Sequence, residues 1–201
     1  ISILNAGLVL VASILGIFNP ATYVQESENW ALQAIGQDIG NVLAVGIFLV
    51  SLYFLRKHSR NAFFIWLGSL LYFMYAYLVY SFAVHFNYLF LIYVSVLGLS
   101  TYTFIGGIID MSGMSFQKPV RKRNERFASI VLLGTGILFL FLWLSDIIPA
   151  LLSGQIPPST ATAGLWVNPV HVIDLAFVLP AFIITGVLLW KGWPLGYFFI
   201  V

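Results

Sequence analysis

The sequence predicts an all-α, polytopic transmembrane helix bundle with six complete spans and the start of a seventh, its N-terminus cytoplasmic. Three observations carry that prediction. The 201 residues are 61% hydrophobic and only 8% charged, against about 25% charged in a soluble domain. A chain this short still needs a wetted polar surface, so the deficit means a surface that faces lipid. Apolar stretches near the ~20 residues needed to cross roughly 30 Å of hydrocarbon recur along the chain. They are continuous rather than alternating, which excludes outer-membrane strands. Finally, the bases are confined to alternate connections.

The spans follow in order at about 2–18, 32–55, 62–84, 88–111, 127–152 and 169–190, with a last one begun at 194–201. The first has no basic segment before it and no small-x-small cleavage site after it, so it reads as a helix rather than a signal peptide. Arg56, Lys57 and Arg60 lie between spans two and three. Lys118, Arg121, Lys122, Arg123 and Arg126 lie between four and five, and Lys191 between six and seven. These are all nine bases of the chain. By the positive-inside rule those connections are cytoplasmic, in an inner (cell) membrane. Loops 19–31, 85–87 and 153–168 then face outside.

The flanks agree. Trp30 and Trp166 read as interface anchors, and Tyr77 and Tyr80 suit an outer aromatic belt. Pro157-Pro158 with the Ser/Thr/Ala run after it reads as loop. Asn168-Pro169 reads as an N-cap followed by Pro at the first helical position. Pro180, inside span six, should kink that helix and free a carbonyl near Ala176. The cluster Arg121-Lys122-Arg123 reads as contact with anionic lipid heads, about 1 kcal/mol per base. Topology already explains it, so no nucleic-acid partner is expected.

Several chemistries are excluded. The chain has no Cys, hence no disulfide, thiolate metal site or cysteine nucleophile. Gly106-Gly107 lacks the context of a phosphate loop. No intramembrane His pair suits a haem, and no cofactor is expected.

Ionisable side chains in a bilayer are expensive, which makes each one a candidate site. Span two is the richest. Gln33, Gly36, Gln37, Gly40, Asn41 and Ala44 share a face roughly 140° wide at about 100° per residue, with Asp38 at its edge. Gly36, Gly40 and Ala44 form a small-xxx-small ridge for close helix approach. Span six offers His171 and Asp174, three apart and so on one face. Span five adds Asp146, and the turn between spans three and four adds His85. All lie at a similar depth near the outer face. Tyr72 and Tyr75 of span three sit deeper and need hydrogen-bond partners.

Three readings compete. Each group could be neutralised separately. They could share a pocket open to the outside that binds a small solute or cycles protons. Or they could hold a metal, against which stand the shortage of His and the absence of a His-x-x-x-His spacing.

The segments Ile35-Gly36-Gln37-Asp38, Phe86-Asn87 with Phe90-Leu91 and Tyr93, Asn168-Pro169-Val170, Asp174-Leu175-Ala176-Phe177-Val178-Leu179-Pro180-Ala181 and Pro194-Leu195-Gly196-Tyr197 resemble a family of uncharacterised prokaryotic multi-pass membrane proteins. The likeness runs from about residue 30 onward. It implies that the last helix continues past Val201, and it supplies no activity. The leading expectation is therefore non-enzymatic: an outward-facing pocket for small-solute or proton-coupled transport or sensing. Its residues would be Asp38, Gln37, Asn41, His171, Asp174, Asp146, His85, Tyr72 and Tyr75. An accessory subunit of a membrane complex and a metal-dependent intramembrane enzyme are the alternatives.

Overall fold

A computed structural model describes residues 1–112 and 122–193. Among them no strand occurs. The helices are α1 (Ser2–Phe18), α2 (Glu28–Leu55), α3 (Arg60–Ala83), α4 (Phe90–Ser112) and α5 (Lys122–Ser153). After them come the short α6 (Pro158–Ala163) and α7 (Pro169–Ile173), a π turn over Asp174–Val178, and α8 (Leu179–Trp190). Arg121, the side chains of Lys122 and Arg123, and the seventh span expected from Pro194 lie outside the described residues.

Among the described residues five helical runs are long and apolar enough to cross a membrane: α2, α3, α4, α5 and the continuous run Pro169–Trp190. The expected first span is not among them. Helix α1 is apolar but has 17 residues, about 25 Å at 1.5 Å per residue, short of roughly 30 Å of hydrocarbon. Local chemistry sets the boundaries. Ser27 accepts from Trp30 N to cap α2, and Ser59 accepts from Ala62 N to cap α3. Asn168 accepts from Val170 N at 3.0 Å, with Pro169 opening the helix, as its sequence requires. The stretch 153–168, expected as loop, contains α6. Its Ser, Thr and Ala residues follow Pro158 at the first helical position, which suits a helix start.

The chain folds as two compact units, residues 1–114 with 162–164 and residues 115–161 with 165–201. In the first, α1 packs on α2 and α4, α2 on α3, and α3 on α4. Its core is apolar and aromatic, including Val9, Phe48, Leu67, Leu70, Phe73 and Val96. The buried face of α2 is Trp30, Ala34, Asp38, Asn41, Val45 and Phe48, so Asp38 is central to it rather than at an edge. The expected Gly36–Gly40–Ala44 ridge is packed only in part: Gly36 is exposed and a side chain there would meet nothing, whereas one at Gly40 would meet Tyr72 Oη of α3 at 3.0 Å. Closer approach happens at other glycines. A methyl at Gly107 of α4 would strike Leu67 and Trp66 of α3, and one at Gly16 of α1 would overlap the Asp38 carboxylate.

The connections at one end of this unit are tied together. Asn19 donates to Tyr88 Oη at 2.8 Å, Asn87 donates to Thr22 O at 3.2 Å, and Thr22 Oγ1 lies 2.7 Å from Tyr88 Oη. Tyr77 and Tyr80 are buried, not belt residues, because they sit on the α3 face that packs on its neighbours. Trp30 is buried too and donates to Ala83 O at 3.1 Å. Trp166 alone of the two expected anchors is exposed.

In the second unit α5 packs along α8. Gly136 meets Ile183 and Phe182, Gly186 meets Leu133, and Ser129 Oγ donates to Gly186 O at 2.6 Å. Pro180 acts as expected in disturbing its helix, through a particular geometry. Lacking an N–H, it cannot bond the carbonyl four residues back. The chain takes one wide turn instead, with Leu179 N–H reaching Asp174 O, a π-type bond.

Candidate functional site

The polar residues singled out above form two separate centres, one inside each unit, and a surface pair. In the first centre Asp38 is 1% exposed. Tyr23 Oη donates to Asp38 Oδ2 at 2.6 Å, and Tyr80 Oη lies 2.9 Å from Oδ1 and 3.0 Å from Ala34 O. Gly16 of α1 is the wall against the carboxylate, since only a residue without a Cβ leaves it room. Tyr77, Tyr80 and Tyr93 pack ring to ring at 5.1–6.1 Å around it. Among the described residues no base pairs with Asp38. Tyr23 sits in the α1–α2 connection. Burial, and after it any negative charge on Asp38, pushes its phenol above the ordinary range.

Next to Asp38 on α2, Gln37 Nε2 donates to Tyr72 Oη at 2.7 Å and to Asn41 Oδ1, one turn on, at 3.1 Å. This accounts for the Tyr72 hydroxyl. Tyr75 is half-buried. Asn41 Nδ2 is buried without a protein partner; Ser13 Oγ is buried beside Asp38 and Tyr77 without a well-formed hydrogen bond to either.

The second centre lies where α5 ends and α7 begins. Trp143 Nε1 donates to Asp174 Oδ2 at 2.8 Å, and its ring packs 4.7 Å from that of His171. Ser159 Oγ donates to Asp146 Oδ2 at 2.5 Å. His171 is 5% exposed. Its Nε2 stands 4.0 Å from Asp146 Oδ2, too far for a hydrogen bond, and has no other partner. Thr160 Oγ1 is likewise buried and unpartnered. Both residues line a cleft of about 490 Å³ whose other walls include Ile147, Val172, Leu175 and Ala176, with Trp166 at its rim. His171 and Asp174 share a neighbourhood, as their spacing predicts, and Asp146 joins them.

His85 bonds to neither group. Its Nδ1 lies 3.0 Å from Glu26 Oε2, and its backbone N–H donates to Glu26 Oε1 at 2.7 Å. The pair clips the α1–α2 connection to the α3–α4 turn.

Sequence reasoning missed Tyr23, Tyr80 and Gly16 around Asp38, and Trp143, Ser159 and Thr160 around His171. Tyr80 had a signal: Phe73, Ala76, Tyr77 and Tyr80 fall on one helical stripe. Tyr23 and Thr160 had none, because a connection carries no periodicity. Among the described residues no three His, Asp or Glu side chains gather as metal ligands. Compared with known families, curated proteins and solved structures, the chain matches none. The family resemblance therefore rests on the quoted segments, and function rests on the geometry of the two centres.

Proposed function

We propose that this is a multi-pass inner-membrane protein whose α5–α8 unit binds a small solute, for transport or sensing. One observation carries the reading: His171 Nε2 and Thr160 Oγ1 are buried without a hydrogen-bond partner in the protein, and both residues line one cleft. An unpaired buried polar group costs about 1–3 kcal/mol, and a ligand that bonds both would recover it. The volume lies in the range of small-molecule sites, about 300–1,000 Å³. Mostly apolar walls with a few polar residues among them suit a small neutral molecule that carries a hydroxyl. Such a hydroxyl would donate to His171 and accept from Thr160. Asp146 and Asp174 flank the imidazole and hold its surroundings through Ser159 and Trp143.

The accompanying topology is six spans and part of a seventh, with the basic connections cytoplasmic and Trp166 at the outer face. Its support is the confinement of the bases and the coincidence of the expected stretches with the observed helices. An accessory-subunit reading has its own observation. Asp38, Gln37 and Asn41 bond within the first unit, to Tyr23, Tyr80 and Tyr72 and to one another, so their role there is cohesion.

The test is thermal stabilisation of the purified protein by a panel of small alcohols and hydroxylated amides. Ligands raise the midpoint in proportion to occupancy. Wild type should be stabilised by at least one class, and His171→Ala and Thr160→Val should each lose most of that shift. If shifts are equal in wild type and both variants, the cleft is not the site.

A further inference from the structure

We propose that Asp38 carries its proton in the folded protein at neutral pH and donates it to Tyr80, making the first unit a proton-binding site enclosed by tyrosines. The argument is a count of hydrogens. Three short contacts meet at this centre: Tyr23 Oη to Asp38 Oδ2 at 2.6 Å, Asp38 Oδ1 to Tyr80 Oη at 2.9 Å, and Tyr80 Oη to Ala34 O at 3.0 Å. A phenol owns one hydrogen. With Asp38 ionised, Tyr23 serves Oδ2, and the single Tyr80 hydrogen must be shared between a carboxylate oxygen and a backbone carbonyl. With Asp38 protonated, each contact has its own hydrogen. Asp38 Oδ1–H donates to Tyr80 Oη, Tyr80 donates to Ala34 O, and Tyr23 donates to Oδ2.

The surroundings favour the neutral form. The groups that face Asp38 from each packed element are known. Helix α1 offers the Gly16 backbone and the Ser13 hydroxyl, which does not titrate, and the α1–α2 connection offers Tyr23. Helix α3 brings Tyr80 with Tyr77 beside it, and α4 brings Tyr93 against both rings. All the titratable groups in this set are phenols, neutral at pH 7, and among the described residues no cation pairs with the acid. A carboxylate with 1% exposure and no counter-charge would bear an uncompensated desolvation penalty. A carboxylic acid in the same place is simply a hydrogen-bonded core residue. This inference concerns the first unit alone and does not depend on the solute cleft of the second.

The experiment is infrared spectroscopy of the protein in lipid, with aspartate carboxyls isotopically labelled. At neutral pH the wild type should show the carbonyl stretch of a protonated, hydrogen-bonded acid, and Asp38→Asn should lose it. Tyr80→Phe removes the acceptor, so the band should move to higher frequency rather than vanish. That variant keeps the test open if Asp38→Asn fails to fold. Because an amide can also donate to Tyr80 and accept from Tyr23, Asp38→Asn should melt within about 3 °C of wild type. The absence of an acid band at neutral pH in wild type overturns the proposal. So does a band that survives unchanged in both variants.

Discussion

At the scale of single residues, the two centres differ in how completely they are satisfied. Asp38 is held from three sides, and the tightest constraint is a residue with no side chain. Gly16→Ala would place a methyl on Asp38 Oδ2 and against Tyr23 Oη. The carboxylate is pinned by two phenols and cannot swing away freely. The expected loss is about 1–3 kcal/mol, typical of overpacking, read as a lowered melting midpoint in detergent. Glu26 offers a graded comparison. It accepts from both the backbone and the ring of His85, and its own side chain is 1% exposed while that of His85 is 51% exposed. His85→Ala leaves the backbone bond in place and should cost under about 1 kcal/mol. Glu26→Ala strips both bonds and should cost about 1–3 kcal/mol. Equal effects in the two variants would show that the backbone bond contributes nothing. Tyr23 has its own pH signature. Its folded value lies above the ordinary phenol value of about 10, so the folded state holds the phenolic proton more tightly than the unfolded chain does. Its contribution is complete below that value and is lost only as pH climbs through the higher folded one. Stability should therefore be flat through neutral pH and fall in strong alkali, with a smaller fall in Tyr23→Phe.

At the scale of elements, small residues decide where helices touch, and composition alone does not say which ones. Gly36 and Gly186 both lie in apolar helices. The first faces open space, whereas the second faces Leu133 of α5 at contact distance. Gly36→Ala should leave stability unchanged or raise it by up to about 1 kcal/mol through helix propensity. Gly186→Ala should lower it by about 1–3 kcal/mol, because the methyl must push α5 and α8 apart. Paired thermal melts check both. The π turn at Asp174–Val178 belongs to this scale too. One extra residue in that turn sets the angular position of His171 and Asp174 relative to α8. Deleting Ala176 should restore regular winding, keep the helical circular dichroism, and abolish any solute-induced shift.

At the scale of the whole molecule, large apolar side chains stand exposed along the long helices, among them Leu43, Ile47 and Val50 of α2 and Leu138, Phe141 and Leu151 of α5. Such surfaces need lipid, since soluble monomers rarely expose contiguous apolar patches of this kind. The proposed sidedness has a direct check, made simple by the absence of Cys. A cysteine replacing His58, in the α2–α3 turn, should react with an impermeant thiol reagent only from the cytoplasmic side. One replacing Gln155 should react only from outside. Labelling of both from the same side would remove the proposed topology.

The sequence by itself determined the helical, lipid-facing character of the chain, and it placed most helix ends within a few residues. Those properties follow from local quantities: run length, hydropathy, capping side chains such as Asn168, and a proline that cannot donate. It also marked Asp38, His171 and Asp174 as unusual, because an ionisable group in an apolar run is conspicuous without any structure. Only the tertiary structure decided what those groups meet. Asp38 is answered by Tyr23 from a connection and by Tyr80 from another helix, Gly16 makes the room, and His171 shares a cleft with Thr160. These are contacts between residues distant in sequence, fixed by the rotation of each helix about its axis. At about 100° per residue, a rotation of roughly 80° separates the face expected around Gly40 and Ala44 from the buried face through Ala34, Asp38 and Val45, and the chain's apolar periodicity is too weak on a lipid-covered helix to specify that angle.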